Sequence, residues 1–318
     1  MTLTNEQKEK LSLIAKDSVL FDEKLSSYSS IRIGGIADAI VTPKSTDILK
    51  EVMQFAVDEG LLYVFLGGGC KTLVRDGGFR GIIIRLKEGF NNIEISHESD
   101  DIVYLQVGAG FNTAGLVQFA SDHGFSGVEC LAGVPGTVGG NIVTNAGTSE
   151  GCVGDIIEEI KIIDRAGREL TVKRKALEFS YRSLKLTRST AIVSATLKLK
   201  RDQEAKVRES VDKLLERRKT TQPWGALTLG CVFKNIIKTS GKIKKVTSAG
   251  QVIDELGLKG VRVGRARISD KHANFIVNEG GATARDFEIL VGMIKERVKE
   301  KYGMTLESEV KIIGEDNT

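Results

Sequence analysis

The chain has 318 residues, a length that favours two domains of ordinary size or one large domain. Its 46 Lys and Arg residues nearly balance 42 Asp and Glu residues, and this net charge of +4 excludes a broad basic surface for nucleic acid or membrane. Hydrophobic residues make up 41% of the chain, which excludes intrinsic disorder, and no apolar run reaches the ~18 residues of a membrane span.

The first segment, up to Lys16, is polar and charged, unlike a signal peptide, so we expect a cytoplasmic protein. The cysteines at 70, 130, 152 and 231 form no Cys-x-x-Cys pair and do not combine with the histidines into a metal-ligand spacing. We therefore expect reduced thiols and no metal. Glycine is the outlier, with 35 residues against 3 prolines, and its clusters are typical of main chain that lies close to a ligand.

The first part of the chain alternates between predicted helices and strands. Apolar spacing predicts an N-terminal helix from Asn5 to Asp17, and Ser45 and Thr46 cap a second predicted helix. The capped helix spans 47–59, and strands are predicted at 31–41, 62–66 and 82–86. A glycine loop at 67–81 joins the last two strands, so the pattern indicates an α/β element with a loop suited to an anion.

The middle of the chain predicts paired strands and a second glycine-rich stretch at 132–151. Its other elements are strands at 92–95, 102–107, 156–164, 169–172 and 191–200 and a helix at 113–123. Ala166-Gly167 indicates a hairpin turn, and a charged helix at 201–219 marks a domain boundary. The remainder predicts strands at 230–235, 261–268, 274–278 and 309–313 and helices at 248–255 and 283–302, the last with a capping box of Thr283 and Asp286.

The two glycine clusters are candidate phosphate-binding loops. The first contains Gly67, Gly68, Gly69, Cys70, Lys71 and Thr72, and the second contains Gly133, Pro135, Gly136, Gly139, Gly140, Asn145 and Gly147. Main-chain N–H groups without bulky side chains can converge on a phosphate, although a glycine-rich turn explains the first cluster alone equally well. Neither cluster is a Walker A loop or a Gly-x-Gly-x-x-Gly helix opening, so together they favour a flavin dinucleotide in a non-Rossmann fold.

Several segments carry a family resemblance. They are FLGGGCKTLVRDGGFRGIII, GVECLAGVPGTVGGNIVTNAG, Tyr181-Arg182-Ser183, RRKTTQPWGALTLGCVFKN, AGQVIDELGLKGVRVGRARISDKHANFIVN and LESEVKIIG. In this order and spacing, over about residues 25–314, the chain resembles the UDP-N-acetylenolpyruvoylglucosamine reductase family, in its shorter type II form.

The resemblance implies an α+β fold with a two-part FAD-binding domain of the vanillyl-alcohol-oxidase (PCMH) type and a C-terminal α+β substrate-binding domain. The expected division is an N-terminal helix at 1–19, an FAD-binding domain at 20–200 with subdomains at 20–86 and 87–200, and a substrate-binding domain at 201–318. The implied partner is a UDP-sugar, with no nucleic acid and no membrane, and a monomer is favoured.

The implied activity is that of a UDP-N-acetylmuramate dehydrogenase of peptidoglycan precursor synthesis. NADPH reduces FAD, NADP⁺ leaves, and the enolpyruvyl sugar nucleotide enters the same pocket to receive hydride at its methylene carbon. Two other functions stay open at this point. One is an FAD-dependent oxidoreductase of the same fold with another substrate, and the other is a non-catalytic FAD-binding paralogue.

Three residues match the family's catalytic positions. The resemblance places Arg182 and Glu309 as the pair that stabilises an enolate-like intermediate, with Glu309 protonated or sharing a proton. Cys231 stands where the family usually has a serine proton donor. A thiol, with an ordinary pKa near ~8.5, is a better acid than a hydroxyl, whereas without the family Cys231 is simply a small buried hydrophobe.

The resemblance also implies ligand contacts. Arg32 belongs to the first FAD-facing segment, and Tyr181, Lys234 and Asn235 are expected to bind substrate. A bulged edge strand, a buried tyrosine and a Lys-Asn turn are the structural alternatives for these positions. Lys71 replaces the usual asparagine of the first loop and is expected to add a charge-assisted contact to the FAD pyrophosphate, while Cys70 replaces a serine.

Overall fold

The structure, a computed structural model, describes residues 2–187, 189–240 and 243–317. Its helices are α1 (Asn5–Ala15), α2 (Thr46–Asp58), α3 (Thr113–Asp122), α4 (Val138–Val143), α5 (Val153–Ile156), α6 (Glu204–Thr221), α7 (Ala249–Asp254) and α8 (Ala284–Tyr302). Its strands are β1 (Val19–Lys24), β2 (Ile36–Val41), β3 (Tyr63–Phe65), β4 (Thr72–Val74), β5 (Phe79–Ile84), β6 (Ile93–Glu98), β7 (Ile102–Gly108), β8 (Phe125–Ser126), β9 (Gly147–Thr148), β10 (Gly151–Cys152), β11 (Ile157–Ile163), β12 (Glu169–Lys173), β13 (Phe179–Ser180), β14 (Ser183–Leu184), β15 (Ala191–Arg201), β16 (Leu227–Cys231), β17 (Ile236–Ser240), β18 (Ile243–Thr247), β19 (Arg262–Val263), β20 (Ala266–Ile268), β21 (Phe275–Asn278) and β22 (Lys311–Ile313).

The chain divides into two compact units. The first comprises Met1–Glu23, Ala37–Gly68 and Arg80–Arg217, and the second comprises Lys24–Ile36, Gly69–Phe79 and Arg218–Thr318. The units do not follow the predicted boundary between residues 200 and 201. The reason is that β4 pairs with β22, and that Ile31 and Leu73 are fully buried in the core of the second unit. Which ligand each unit binds stays a prediction.

The first unit contains two larger sheets with separate cores. One sheet has the strand order β1-β2-β5-β3, and its core includes Leu11 of α1 and Met53 of α2. The other has the order β12-β11-β15-β7-β6, with β8 also paired to β15, and its core includes Leu105 and Phe125. Helix α2 begins as predicted, because the Ser45 side chain accepts a hydrogen bond from the Ile48 N–H.

A buried ion pair joins neighbouring strands of the first sheet. The Asp38 carboxylate on β2 is fully buried and lies 2.7 Å from the Arg80 guanidinium of β5. Its second oxygen accepts a hydrogen bond from the Gly81 N–H at 2.9 Å. One oxygen of this buried carboxylate is therefore hydrogen-bonded to the main chain, and the other faces the guanidinium charge.

The second unit is built around a sheet with the order β16-β21-β20-β19. Helix α8 packs on it through residues such as Phe287 and Leu290, and Phe233 fills the same core. The capping box predicted for α8 is confirmed, because Thr283 and Asp286 exchange side-chain to main-chain hydrogen bonds at 3.0 Å. Segment 69–79 also belongs to this unit, and it contains β4, which runs parallel to β22.

Several predicted elements differ from the structure. The strand predicted at 31–41 begins only at Ile36, because Gly35 instead donates its N–H to Arg75 and accepts from Leu25. The prediction of one strand at 261–268 is wrong, since β19 and β20 form a hairpin there, and the strand predicted at 230–235 ends at Cys231. The glycine loop at 67–81 contains β4, and the stretch at 132–151 contains α4.

Candidate functional site

The two glycine-rich stretches meet inside the first unit. Gly67 lies against the second stretch, where an added Cβ would be 2.6 Å from Thr137 Oγ1 and 3.8 Å from Gly140 Cα. Only a residue without a side chain permits this approach. Gly67 and Gly68 belong to the first unit, whereas Gly69, Cys70, Lys71 and Thr72 belong to the second. The part of the first cluster that belongs to this unit is therefore adjacent to the second cluster.

The second stretch leaves room for a ligand. Gly136 has φ +118°, and a Cβ added there would meet only Asn141 Oδ1, at 3.8 Å. Thr137 shapes this stretch as the cap of α4, because its Oγ1 accepts a hydrogen bond from the Gly140 N–H. The open side of Gly136 therefore fits part of a ligand, such as the planar ring or the pyrophosphate of a flavin dinucleotide.

Asn145 connects the second glycine stretch to the segment that carries Arg182. Its Nδ2 donates to the Ser180 carbonyl at 2.9 Å, and its Oδ1 accepts from the Gly154 N–H at 3.1 Å. Ser180 and Ser183 are paired across β13 and β14, so Tyr181 and Arg182 form the turn of a two-stranded hairpin. The buried Asn145 side chain therefore fixes the position of the turn that holds Arg182.

Three predicted site residues adopt strained main-chain conformations. Arg32, Asn145 and Arg182 have φ values of +59°, +43° and +58°, a region that residues other than glycine seldom occupy. Each such conformation costs about 1–3 kcal/mol and tends to occur at functional sites, where the surrounding structure imposes it. The hairpin turn imposes it on Arg182. Arg32 is an exposed residue whose N–H donates to the Ser29 carbonyl at 3.1 Å.

In the second unit, three segments lie side by side and carry predicted site residues. Glu309 donates its N–H to the Val232 carbonyl at 2.8 Å, and Lys234 donates its N–H to the Glu307 carbonyl at 2.9 Å. The segment that ends in Glu309 therefore runs along the one that follows Cys231. On the other side, Lys311 donates its N–H to the Lys71 carbonyl at 2.9 Å, which adds the first glycine loop.

The Lys71 ammonium group joins these three segments. Its Nζ donates a hydrogen bond to the Cys231 carbonyl oxygen at 2.7 Å and lies 3.3 Å from Glu309 Oε1. The Glu309 side chain is only 11% exposed and that of Lys71 27% exposed. The structure thus brings Lys71, Cys231 and Glu309 together, whereas Arg182 belongs to the first unit.

The predicted substrate residues have internal partners. Lys234 Nζ forms an ion pair with Glu307 Oε1 at 2.6 Å, and Asn235 Oδ1 accepts from the Ala249 N–H at 3.1 Å. Tyr181 is 40% exposed at the tip of its hairpin. Burial raises the pKa of the Cys70 thiol, which keeps that residue of the first loop in its neutral form. The substrate roles of Tyr181, Lys234 and Asn235 stay predictions.

The sequence reasoning missed two residues that shape these loops. Thr137 lies within a stretch interpreted as glycine-rich loop, although a threonine directly before a helical turn is a capping signal, since its hydroxyl can accept from the N–H three residues later. Ser30 donates its hydroxyl to the Thr228 carbonyl at 2.6 Å and lies 3.3 Å from the Gly69 carbonyl oxygen. No local pattern points to Ser30, because its partners are distant in sequence.

Two sequence-family models match the chain. One is described as FAD binding domain and matches residues 37–173, and the other is described as UDP-N-acetylenolpyruvoylglucosamine reductase, C-terminal domain, and matches residues 222–313. Together they confirm the α+β fold with an FAD-binding domain and a C-terminal domain of this kind. Among the described residues, none of the helices has the length and apolar character that crossing a bilayer requires.

Curated relatives are similar over nearly the whole chain. A UDP-N-acetylenolpyruvoylglucosamine reductase from Desulfosudis oleivorans is 36% identical over 312 residues, covering 96% of this chain and 97% of the relative. Another from Geobacter metallireducens is 39% identical over 301 residues, with 95% and 96% covered. The crystal structure of UDP-N-acetylenolpyruvylglucosamine reductase from Thermus caldophilus superposes with a TM-score of 0.77 at 34% identity, covering 92% of this chain and 97% of that one.

Proposed function

The chain belongs to the UDP-N-acetylenolpyruvoylglucosamine reductase family, and from this membership we propose that Arg182, Cys231 and Glu309 carry out its reaction. That reaction is the FAD-dependent reduction of UDP-N-acetylenolpyruvoylglucosamine to UDP-N-acetylmuramate, a step of peptidoglycan precursor synthesis. The observation that supports the residue assignment is the hydrogen bond from the Glu309 N–H to the Val232 carbonyl, by which the main chain at Glu309 runs beside the segment that carries Cys231.

FAD, when bound, supplies the hydride that the methylene carbon of the substrate accepts. We assign its binding to the residues of the two glycine clusters and to Arg32, as the sequence predicts. In the first unit these are Gly67, Gly68, Gly133, Pro135, Gly136, Gly139, Gly140, Asn145 and Gly147. In the second unit they are Arg32, Gly69, Cys70 and Thr72, together with the main chain, but not the side chain, of Lys71.

Each proposed catalytic residue has a separate task. Hydride addition leaves negative charge on the substrate carboxylate, and the Arg182 guanidinium stabilises that charge. Glu309 stabilises the same enolate through a shared proton, and Cys231 Sγ then donates a proton to the adjacent carbon. Hydride and proton together saturate the enolpyruvyl double bond. The Cys231 thiol thus takes the place of a hydroxyl donor.

We propose NADPH as the reductant and test the scheme by anaerobic stopped-flow spectroscopy. NADPH should bleach the oxidised flavin band near ~450 nm, and UDP-N-acetylenolpyruvoylglucosamine should then restore it rapidly. As a matched control, UDP-N-acetylglucosamine, which lacks the enolpyruvyl group, should leave the band bleached.

Two results would contradict this scheme. A flavin that NADPH does not reduce would remove NADPH as the reductant. A reduced flavin that the enolpyruvyl sugar nucleotide fails to reoxidise would mean that the protein passes its electrons to another acceptor. These two outcomes separate the reductive step from the oxidative step of the proposed reaction.

A further inference from the structure

We propose that Lys71 is a positioning residue for Glu309 and Cys231 rather than an FAD ligand, an inference that rests on the function proposed above. The observation is the double contact of its ammonium group, at 2.7 Å from the Cys231 carbonyl oxygen and 3.3 Å from Glu309 Oε1. A lysine ammonium group has three donors, and here two of them face predicted catalytic segments.

The sheet register holds Lys71 in this place. Thr72 pairs with Lys311 in the parallel strands β4 and β22. Lys71 comes directly before Thr72, and Glu309 comes two residues before Lys311, so both lie where the two paired strands begin. Lys71 also lies over the peptide before Cys231, because a Cβ added at Gly230 would be 3.3 Å from Lys71 Nζ. Its side chain therefore spans two segments that the sequence separates widely.

The charge of Lys71 acts on Glu309 directly. The Lys71 ammonium group lies beside Oε1 of a carboxyl group that is only 11% exposed, so it orients that group and leaves the other oxygen to carry the shared proton. The bond to the Cys231 carbonyl holds the main chain that carries the thiol. Loss of the lysine would release both groups, and small displacements of reacting groups slow catalysis strongly.

The two possible roles of Lys71 predict different defects. If Lys71 bound the FAD pyrophosphate, its loss would weaken FAD binding. If it positions Glu309 and Cys231, its loss leaves FAD binding nearly unchanged and slows the step in which the substrate reoxidises the flavin. Lys71→Met keeps most of the length of the side chain and removes the charge, and Lys71→Arg keeps the charge.

The experiment compares the half-reactions of the holoenzyme. In Lys71→Met we expect reoxidation by UDP-N-acetylenolpyruvoylglucosamine to slow by about 10-fold or more, with the FAD dissociation constant and the rate of reduction by NADPH within about 2-fold of the parent. Lys71→Arg should recover most of the reoxidation rate. The control is Lys259→Met, which removes another ion-paired lysine of the second unit, 2.7 Å from Asp254, and should not slow reoxidation.

A stability cycle tests the contact without substrate. Lys71→Met and Glu309→Gln should each lower the Tm, and the double variant should lower it by less than the sum of the two shifts. Additive Tm shifts, a large loss of FAD affinity in Lys71→Met, or reoxidation at the parent rate would each overturn the proposal. If the parent protein itself is not reoxidised by the substrate, the proposed function fails, and the stability cycle alone then decides the Lys71–Glu309 contact.

Discussion

Cys231 is the proposed proton donor, at the position where the family resemblance implies a serine. It ends β16, where it pairs with Phe275 of β21, and its carbonyl oxygen accepts from Lys71. We predict that Cys231→Ser retains activity, because a hydroxyl at the same atom position can still donate a proton. Cys231→Ala should leave flavin reduction by NADPH intact and slow turnover by about 10²-fold or more.

Stopped-flow measurement of the two half-reactions checks this prediction. Cys130→Ala is the control, since Cys130 is a buried cysteine of the first unit whose pKa burial raises to about 12. Its replacement removes a thiol that takes no part in the proposed chemistry. A Cys231→Ala variant that turns over at the parent rate would remove Cys231 from the mechanism.

For single residues, the sequence predicts which residues belong to the candidate site better than it predicts their contacts. The family motif indicates Asn145 as an FAD residue, but it does not reveal that the side chain bonds to the Ser180 carbonyl and so supports the Arg182 turn. In the sequence, Lys71 is noticeable only because the family resemblance implies an asparagine at that position. Its contacts with Cys231 and Glu309 depend on segments more than a hundred residues away, which no local pattern encodes.

Among the elements, those with local signals were predictable. Ser45 caps α2, and the capping box of Thr283 and Asp286 begins α8, because these bonds form between residues three apart. Strand β4 was missed because it has three residues and its partner β22 lies at the other end of the chain. Short strands that are stabilised only by distant pairing leave almost no periodic signal.

His272 lies at the contact between α7 and the segment before β21, and we expect its titration to affect stability. His272 packs on α7, where a Cβ added at Gly250 would lie 2.7 Å from its Cε1, and its Nδ1 accepts from the Asn274 N–H at 3.2 Å. Burial, assisted by the charge of Lys259, lowers the pKa of His272. Below a pH of about 6.5 the unfolded chain binds a proton that the folded chain does not, so stability falls as the pH falls.

We therefore predict a flatter pH dependence for His272→Asn, which keeps an acceptor near the Asn274 N–H but does not titrate in this range. Between pH 7 and pH 5 the parent should lose more free energy of unfolding than the variant, by at most about 1.4 kcal/mol per pH unit. Urea unfolding followed by circular dichroism at each pH measures the difference. Parallel curves for the two proteins would contradict the assignment.

For the whole molecule, the second unit is assembled from three separate parts of the chain. Ile31, Ile33 and Leu73 belong to its core, with at most 2% exposure, and β22 is paired with β4. We predict that a fragment of residues 201–318 lacks a cooperative thermal transition, because it loses this strand pairing and leaves apolar core surface exposed. Calorimetry and binding of a hydrophobic dye measure both effects.

The matched control adds the missing parts. A designed chain in which flexible linkers join residues 24–36 and 69–79 to residues 218–318 contains all of the second unit, so it should unfold cooperatively. A sharp transition in the 201–318 fragment alone would contradict the prediction. The boundary near residue 200 was predicted from composition and motif order along the chain. These features do not show which distant segments pack together, so the prediction left out residues 24–36 and 69–79.

The pairing of β4 with β22 also affects how the protein forms during synthesis. Segment 69–79 leaves the ribosome well before the strand that completes its pairing is made. At about 5–20 residues per second, the roughly 240 residues between Thr72 and Lys311 take on the order of 10–50 s to translate. During that interval the segment of β4 lacks its partner strand, so we expect this part of the second unit to bind chaperones until β22 has been made.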